Sequence, residues 1–375
     1  MSETLKICYF GTYEKDYSRN IIFIQALRDI NVEVIEINEE VKEKNAKSYG
    51  SLKGLIRLFF RFFYAYFKLL FKLVFLKDIR NIFIGYPSHL DVIFFYPILK
   101  IKRQKIFFNP LVSLYDTFIL DRKLFSKSSP AAKIIFFIDW LAFRLSDIIF
   151  IDTETHKIYL SQLFSIDKNK FEVIPVGAVD EFYKNIFVEK KPVFTVLYVG
   201  KYIPLHSVET IIEAADFLKD SDILFKMVGT GQDYQKALKI VNDKNIGNIE
   251  FIEWLDRESL LFEIKASHVV LGIFKKEGKA LRVVPNKVYD AIAAESVVVT
   301  ERSPAILEFF KEGEEIFLVE PENPKDLAEK ILWIKDNYDT AKNMAVKGKK
   351  RFLHVASKKA IGEKIKKTLI ERNYG

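Results

Sequence analysis

The chain has 375 residues, 49% of them apolar, a net charge of +8 and a single cysteine. That is enough apolar material to fill two cores, and no intrachain disulfide can form, so two domains in a reducing compartment are expected. The cation excess points to an anionic partner such as nucleic acid, anionic lipid or a phosphorylated substrate, without choosing among them.

Leu5–Phe10 followed by Gly11-Thr12 reads as strand and turn, residues 21–27 as a helix, and Val32–Ile37 as a second strand. This βαβ opening predicts a parallel sheet. It carries no leader-peptide order of charged, apolar and small residues. One glycine, Gly11, stands where G-x-G-x-x-G would be needed, which argues against a hydride-transfer dinucleotide enzyme. Gly11 and Thr12 are instead expected where backbone approaches a ligand across a cleft. Residues 52–77 combine seven Phe and two Tyr with Lys53, Arg57, Arg61, Lys68, Lys72 and Lys77. At ~100° per residue the first five cations share about 100° of arc, beside a broad aromatic face. Six cations argue against a transmembrane span, and a basic amphipathic helix on an anionic membrane is expected.

Asn81–Gly85 and Lys105–Asn109 read as strands, with the loops 86–89 and 110–117 at their carboxyl ends, where open α/β sheets collect ligands. His89, Asp116, Asp121 and Arg122 are the acceptor-side candidates there. A helix over 134–146, a strand over 147–152, a helix over 153–164 and a strand over 171–177 complete the first half. Residues 179–191 read as a linker. A second alternation follows: strands at Phe194–Lys201, Ile223–Val228, Ile249–Ile252 and Val269–Ile273, interleaved with helices and the Gly229-Thr-Gly231 turn. The fold class is therefore α/β, with two facing Rossmann-like, doubly wound domains and a cleft between parallel sheets. The domains are expected at 1–180 and 181–355, with a final helix over 356–375 folding back on the first.

The stretch 282–300 is the most informative. Pro285 suits the first position of a helix whose first turn holds Asn286 and Lys287, with Asp290 one turn on and the strand Val297–Thr300 after it. Lys201, His206, Gly229, Gly231, Lys279, Arg282 and Lys287 are expected to converge with that helix start on one anion-binding cleft. Asp220-Ser-Asp222 falls before a strand, at the edge opposite the ligands, so a metal-free site is expected.

The segments Val199–Ala215, Met227–Gln232, Val284–Ala294 and Val297–Thr300, in that order and spacing, resemble the retaining glycosyltransferases of family four (glycosyltransferase group 1), which have the GT-B fold. The resemblance implies metal-free transfer of a sugar from a nucleoside diphosphate sugar, of the UDP or GDP type, with retention and with no cofactor. It implies a diphosphate held by Lys201, at Gly200 in the place of the family's arginine, and by His206 in the place of its second lysine, with Lys287 assisting. His206 would be a cation only when protonated. Asp290 replaces the glutamate that binds ribose, and Trp254 would face the base. Arg282 stands where the E-x7-E motif begins, so Glu277 is the nearest carboxylate for the donor sugar. Asp116 lies in a segment that looks like an acceptor-side loop. With the basic helix, this implies a cytoplasmic enzyme peripheral to the inner membrane face, using a lipid-linked or surface-glycan acceptor in polysaccharide biosynthesis, and no nucleic acid. An epimerase of the same fold and a non-enzymatic membrane adaptor are the alternatives.

Overall fold

The computed structural model describes residues 5–41, 52–183 and 186–373. The side chains of Lys53 and a few neighbours, and Lys184 and Asn185 of the linker, lie outside the described residues. The first sheet holds β1 (Lys6–Gly11), β2 (Glu33–Asn38), β3 (Asn81–Ile84), β4 (Lys105–Phe108), β5 (Ile148–Ile151) and β6 (Phe171–Val173) in the order β2-β1-β3-β4-β5-β6. The second holds β7 (Phe194–Val199), β8 (Ile223–Val228), β9 (Ile249–Ile252), β10 (Val269–Leu271), β11 (Val297–Glu301) and β12 (Phe317–Val319), ordered β12-β11-β10-β7-β8-β9. All pairings within both sheets are parallel. Strands β3 and β11 are buried throughout and mostly apolar because helices cover both faces. Strand order reverses between β1 and β3 and between β7 and β10, and the carboxyl ends there are where such sheets take ligands.

Local signals fix several helix starts. Ser129 accepts from the Ala132 N–H with Pro130 next to it, Thr153 accepts from His156, and Asn323 from Asp326 with Pro324 following. Pro285 differs from expectation: with φ −65° and ψ 148° it is the extended cap before the Asn286–Ala293 helix, not its first residue. The last helix, Lys358–Asn373, packs on the Ser18–Asp29 helix of the first lobe, burying Ile361, Ile365 and Leu369. Lys358 Nζ is 3.0 Å from Asp29 and 2.6 Å from Asp180.

The Leu52–Phe75 helix rests on the sheet through Ala65, Leu69 and Leu73, a narrow i, i+4, i+8 stripe. Lys102 Nζ donates to the carbonyls of Leu73, Val74 and Leu76 and closes its end. Its aromatic face points outward: Phe59, Phe60, Phe63, Phe67, Phe71 and Phe75 are each 60–66% exposed, so the aromatic residues are not this lobe's core. Among the described residues no helix is long and apolar enough to cross a membrane.

Candidate functional site

The carboxyl end of β7 is built around glycine. Gly200 has φ +155°, and a Cβ there would stand 2.4 Å from Lys287 Nζ. Gly229, at φ +127°, comes so close that its Cβ would meet the Gly200 carbonyl oxygen at 2.0 Å. Gly231 packs equally tightly on the Tyr202 backbone, and the Tyr202 N–H donates to the Thr230 carbonyl. The turn therefore lies directly against the Gly200–Tyr202 segment. Lys287 reaches this point from the first turn of its helix, 4.0 Å over the Tyr198 ring and 3.4 Å from His206 Nδ1. Burial pushes its pKa well below that of an ordinary lysine, and Glu301 opposes the shift. Glu301 is itself 2% exposed, accepts from Thr300 Oγ1 at 2.7 Å, and is pushed well up by burial. Lys201 is exposed and has no acidic partner among the described residues.

His206 departs from the expected conditional cation. Its Nδ1 is 2.5 Å from the Lys201 carbonyl and 2.8 Å from the Tyr198 hydroxyl, and it is buried. Burial first, and Lys287 second, push its pKa well below 6.5, so the ring is neutral at pH 7. The exposed cation near Gly200 is Lys201, while Lys287 beside it is held less readily protonated than an ordinary lysine.

Asp290 faces Arg257 and Glu181, and burial raises its carboxyl to about 8. An acid protonated when folded and ionised when unfolded costs stability as pH rises from about 4 to about 8. Asp290→Asn is therefore expected to melt higher than the parent above pH 8, the gain shrinking towards pH 4. A melting curve measured every half pH unit checks this. Trp254 is 76% exposed beyond β9, and Glu277 is exposed just before the Gly278–Arg282 turn. Neither makes a described contact to the Gly200 cluster. Asn286 lies against the Tyr17 hydroxyl of the first lobe.

Across the cleft, Asp116 opens a π-helical turn, Asp116–Asp121, in a segment expected as loop. The buried Asp139 carboxylate carries that turn, accepting from Ser113 Oγ (2.6 Å) and from the Leu114 and Tyr115 N–H groups. Ser113 Oγ in turn accepts from the Asp116 N–H at 2.9 Å. His89, expected at the acceptor, is instead 1% exposed with Nε2 3.3 Å from Asp139, and so sits beneath the site. Lys279 and Arg282 are also corrected: both reach over the cleft to the first lobe. Arg282 Nη2 donates to Asp116 Oδ1 at 2.8 Å and its guanidinium lies 3.6 Å over Tyr159. Lys279 Nζ donates to Thr117 Oγ1 at 3.0 Å. Asp121, beside them, is pushed up by burial. Glu308 of the second lobe accepts from the Glu154 and Thr155 N–H groups at 2.6 and 2.7 Å, capping a first-lobe helix.

Gly11 serves the protein's own carboxylate. At φ +124°, its Cβ would meet Asp91 Oδ2 at 2.3 Å. Asp91 is fully buried, accepts from the Thr12 N–H (2.5 Å), and accepts from Tyr66 of the aromatic helix (2.7 Å). A carboxylate thus fills the place expected for a ligand at Gly11-Thr12. Asp220 and Asp222 precede β8 at its amino edge. Among the described residues no cluster of three or more His, Cys, Asp or Glu could hold a metal.

Residues 179–351 match the family model described as glycosyl transferases group 1. Over 153 residues, 41% of each chain, the sequence is 28% identical to an uncharacterised glycosyltransferase of Methanocaldococcus jannaschii. The matched stretches thus span about two fifths of the length of the curated relatives. Sucrose-phosphate synthase of Thermosynechococcus elongatus superposes with a TM-score of 0.72 at 14% identity, covering 99% of both chains. The Anabaena protein HepE, solved in complex with UDP, gives 0.67 at 12% identity over 98% of this chain and 100% of that one. Such structural neighbours give the two lobes the GT-B fold.

Proposed function

With residues 179–351 a glycosyl transferases group 1 domain, we propose that the chain moves a sugar, with retention and without metal, from a nucleoside diphosphate sugar to an acceptor at a membrane surface. The observation that carries this reading is the meeting of Lys201 and Lys287 at the glycine-built end of β7. Negative charge grows on a departing diphosphate as its bond to the sugar breaks, and fixed cations in a partly dry cleft stabilise it. Lys201 supplies the exposed charge and Lys287 the sheltered one, with Gly200 and Gly229 small enough for Lys287 and the second turn to close on the end of β7. Neutral His206 holds the Lys201 carbonyl in place. Asp290 is assigned to the ribose, Trp254 to the rim near the base, Glu277 to the donor sugar and Asp116 to the acceptor. The UDP in the Anabaena structure of this fold supports a UDP donor, with GDP as the other candidate.

The outward aromatic face and the exposed cations Arg57 and Arg61, beside Lys68 and Lys72 that share Glu39, support an anionic bilayer as the seat of the Leu52–Phe75 helix. The acceptor is then lipid-linked, or a surface glycan growing at the inner face of the membrane. Incubation with UDP- and GDP-sugars and a membrane lipid extract tests the reading. Nucleoside diphosphate release and an α-linked product from an α-linked donor, read by proton NMR, are expected. An inverted product would reject retention, and no release from any donor would reject transfer.

A further inference from the structure

A second, separate segment carries the combination that marks the aromatic helix. Leu124 and Phe125 are 52% and 48% exposed, between the exposed Lys123 and Lys127. Lys133, one turn into the next helix, is exposed too, and none of these three lysines pairs with an acid among the described residues. The segment is nonetheless shaped: the Leu124 N–H donates to the Phe118 carbonyl at 2.9 Å, and the Ser129 N–H to Ser126 at 3.0 Å. A fixed loop that turns its two largest apolar side chains to water calls for a partner.

Charge selects the partner. From residue 52 to 138 the sequence has fifteen Lys and Arg against four Asp and no Glu, and Asp91 and Asp116 of those four are buried. Topology places the two features together. The helices Leu52–Phe75, His89–Ile101 and Pro130–Leu145 cover the same face of the first sheet through one core, and Tyr66 meets Phe94 at 4.7 Å. In a parallel lobe the chain leaves each strand at the carboxyl edge, so the 122–129 loop lies at the cleft rim. The aromatic helix ends where β3 begins, at the amino edge, so its Phe59–Phe63 half points back to that same rim.

We propose that the Lys123–Lys127 loop is a second anchor in an anionic lipid bilayer, acting beside the Leu52–Phe75 helix; this rests on the membrane reading above. Leu124 and Phe125 enter the acyl boundary while the lysines stay among the phosphates. Two weak contacts on one rigid lobe bind together far more tightly than either alone. They also fix orientation: the loop continues directly from the Asp116–Asp121 turn, so the acceptor side of the cleft is held against the headgroups.

Co-sedimentation of the full chain with phosphatidylglycerol–phosphatidylcholine vesicles, against phosphatidylcholine alone, tests this. The double variants Leu124→Asp/Phe125→Asp and Phe63→Glu/Phe67→Glu are compared, with melting temperature as the check on folding. The expected result is binding to the anionic vesicles only, weakened about tenfold or more by either pair. Loss with the helix pair but wild-type binding by the loop pair would overturn the loop anchor and leave the helix reading standing. Loss with the loop pair alone would support the loop and remove the helix. A wild-type chain that ignores anionic vesicles would reject both.

Discussion

Lys201→Ala is expected to weaken nucleoside diphosphate binding by about 30- to 150-fold, the worth of ~2–3 kcal/mol for a charge-assisted contact. Its stability without ligand should stay within about 0.5 kcal/mol of the parent's, because the side chain is exposed and has no acidic partner among the described residues. Lys287→Met separates the same two quantities differently. Lys287 is half-buried and its ammonium form is disfavoured by desolvation, so the variant should melt no lower than the parent while binding the diphosphate more weakly. Arg at 201 should keep most of the affinity, since the charge is retained. Calorimetric titration of each variant checks the set.

Arg282→Ala should have the largest effect on stability. Asp116 is 1% exposed and takes its charge partner from the other lobe. Removing one member of a buried pair costs about 3–5 kcal/mol, because the remaining charge is left uncompensated. The lobes can limit that cost by opening and wetting Asp116, so a larger radius of gyration in solution scattering should accompany the lower melting temperature. The double variant Arg282→Ala/Asp116→Ala should lose less than the sum of the singles. Equal and additive losses would mean that the pair contributes no coupling between the lobes.

The architecture was legible because parallel strands buried on both faces are written as continuous apolar runs. Ile223–Val228 and Ile249–Ile252 were read to the residue, while β6 is shorter than its 171–177 reading. The helices His89–Ile101, Arg257–Ala266 and Tyr338–Val355 went unread. The first holds an internal Pro97, and the second has little apolar periodicity. At the site, local sequence identified glycines and cations but not their partners. Lys279 and Arg282 looked like diphosphate ligands because nothing near them in sequence reveals Thr117 and Asp116, more than 160 residues away. Asp91, Asp139 and Glu301 were missed as buried carboxylates. Their one signal is a lone acid in an apolar run, as in Ile134–Phe143, and an acid so placed needs a partner. His206 was misjudged for the same reason: its neutrality comes from burial and from Lys287, 81 residues on.

Titrating UDP and GDP into the wild-type chain, with and without EDTA, tests the diphosphate site most directly. One of the two should bind at a single site with an affinity that EDTA leaves unchanged, and at ~100 times its Kd should stabilise the fold by about 2.7 kcal/mol. Binding abolished by EDTA would contradict a site held by Lys201 and Lys287 alone. Binding of neither nucleotide would contradict the donor cleft itself.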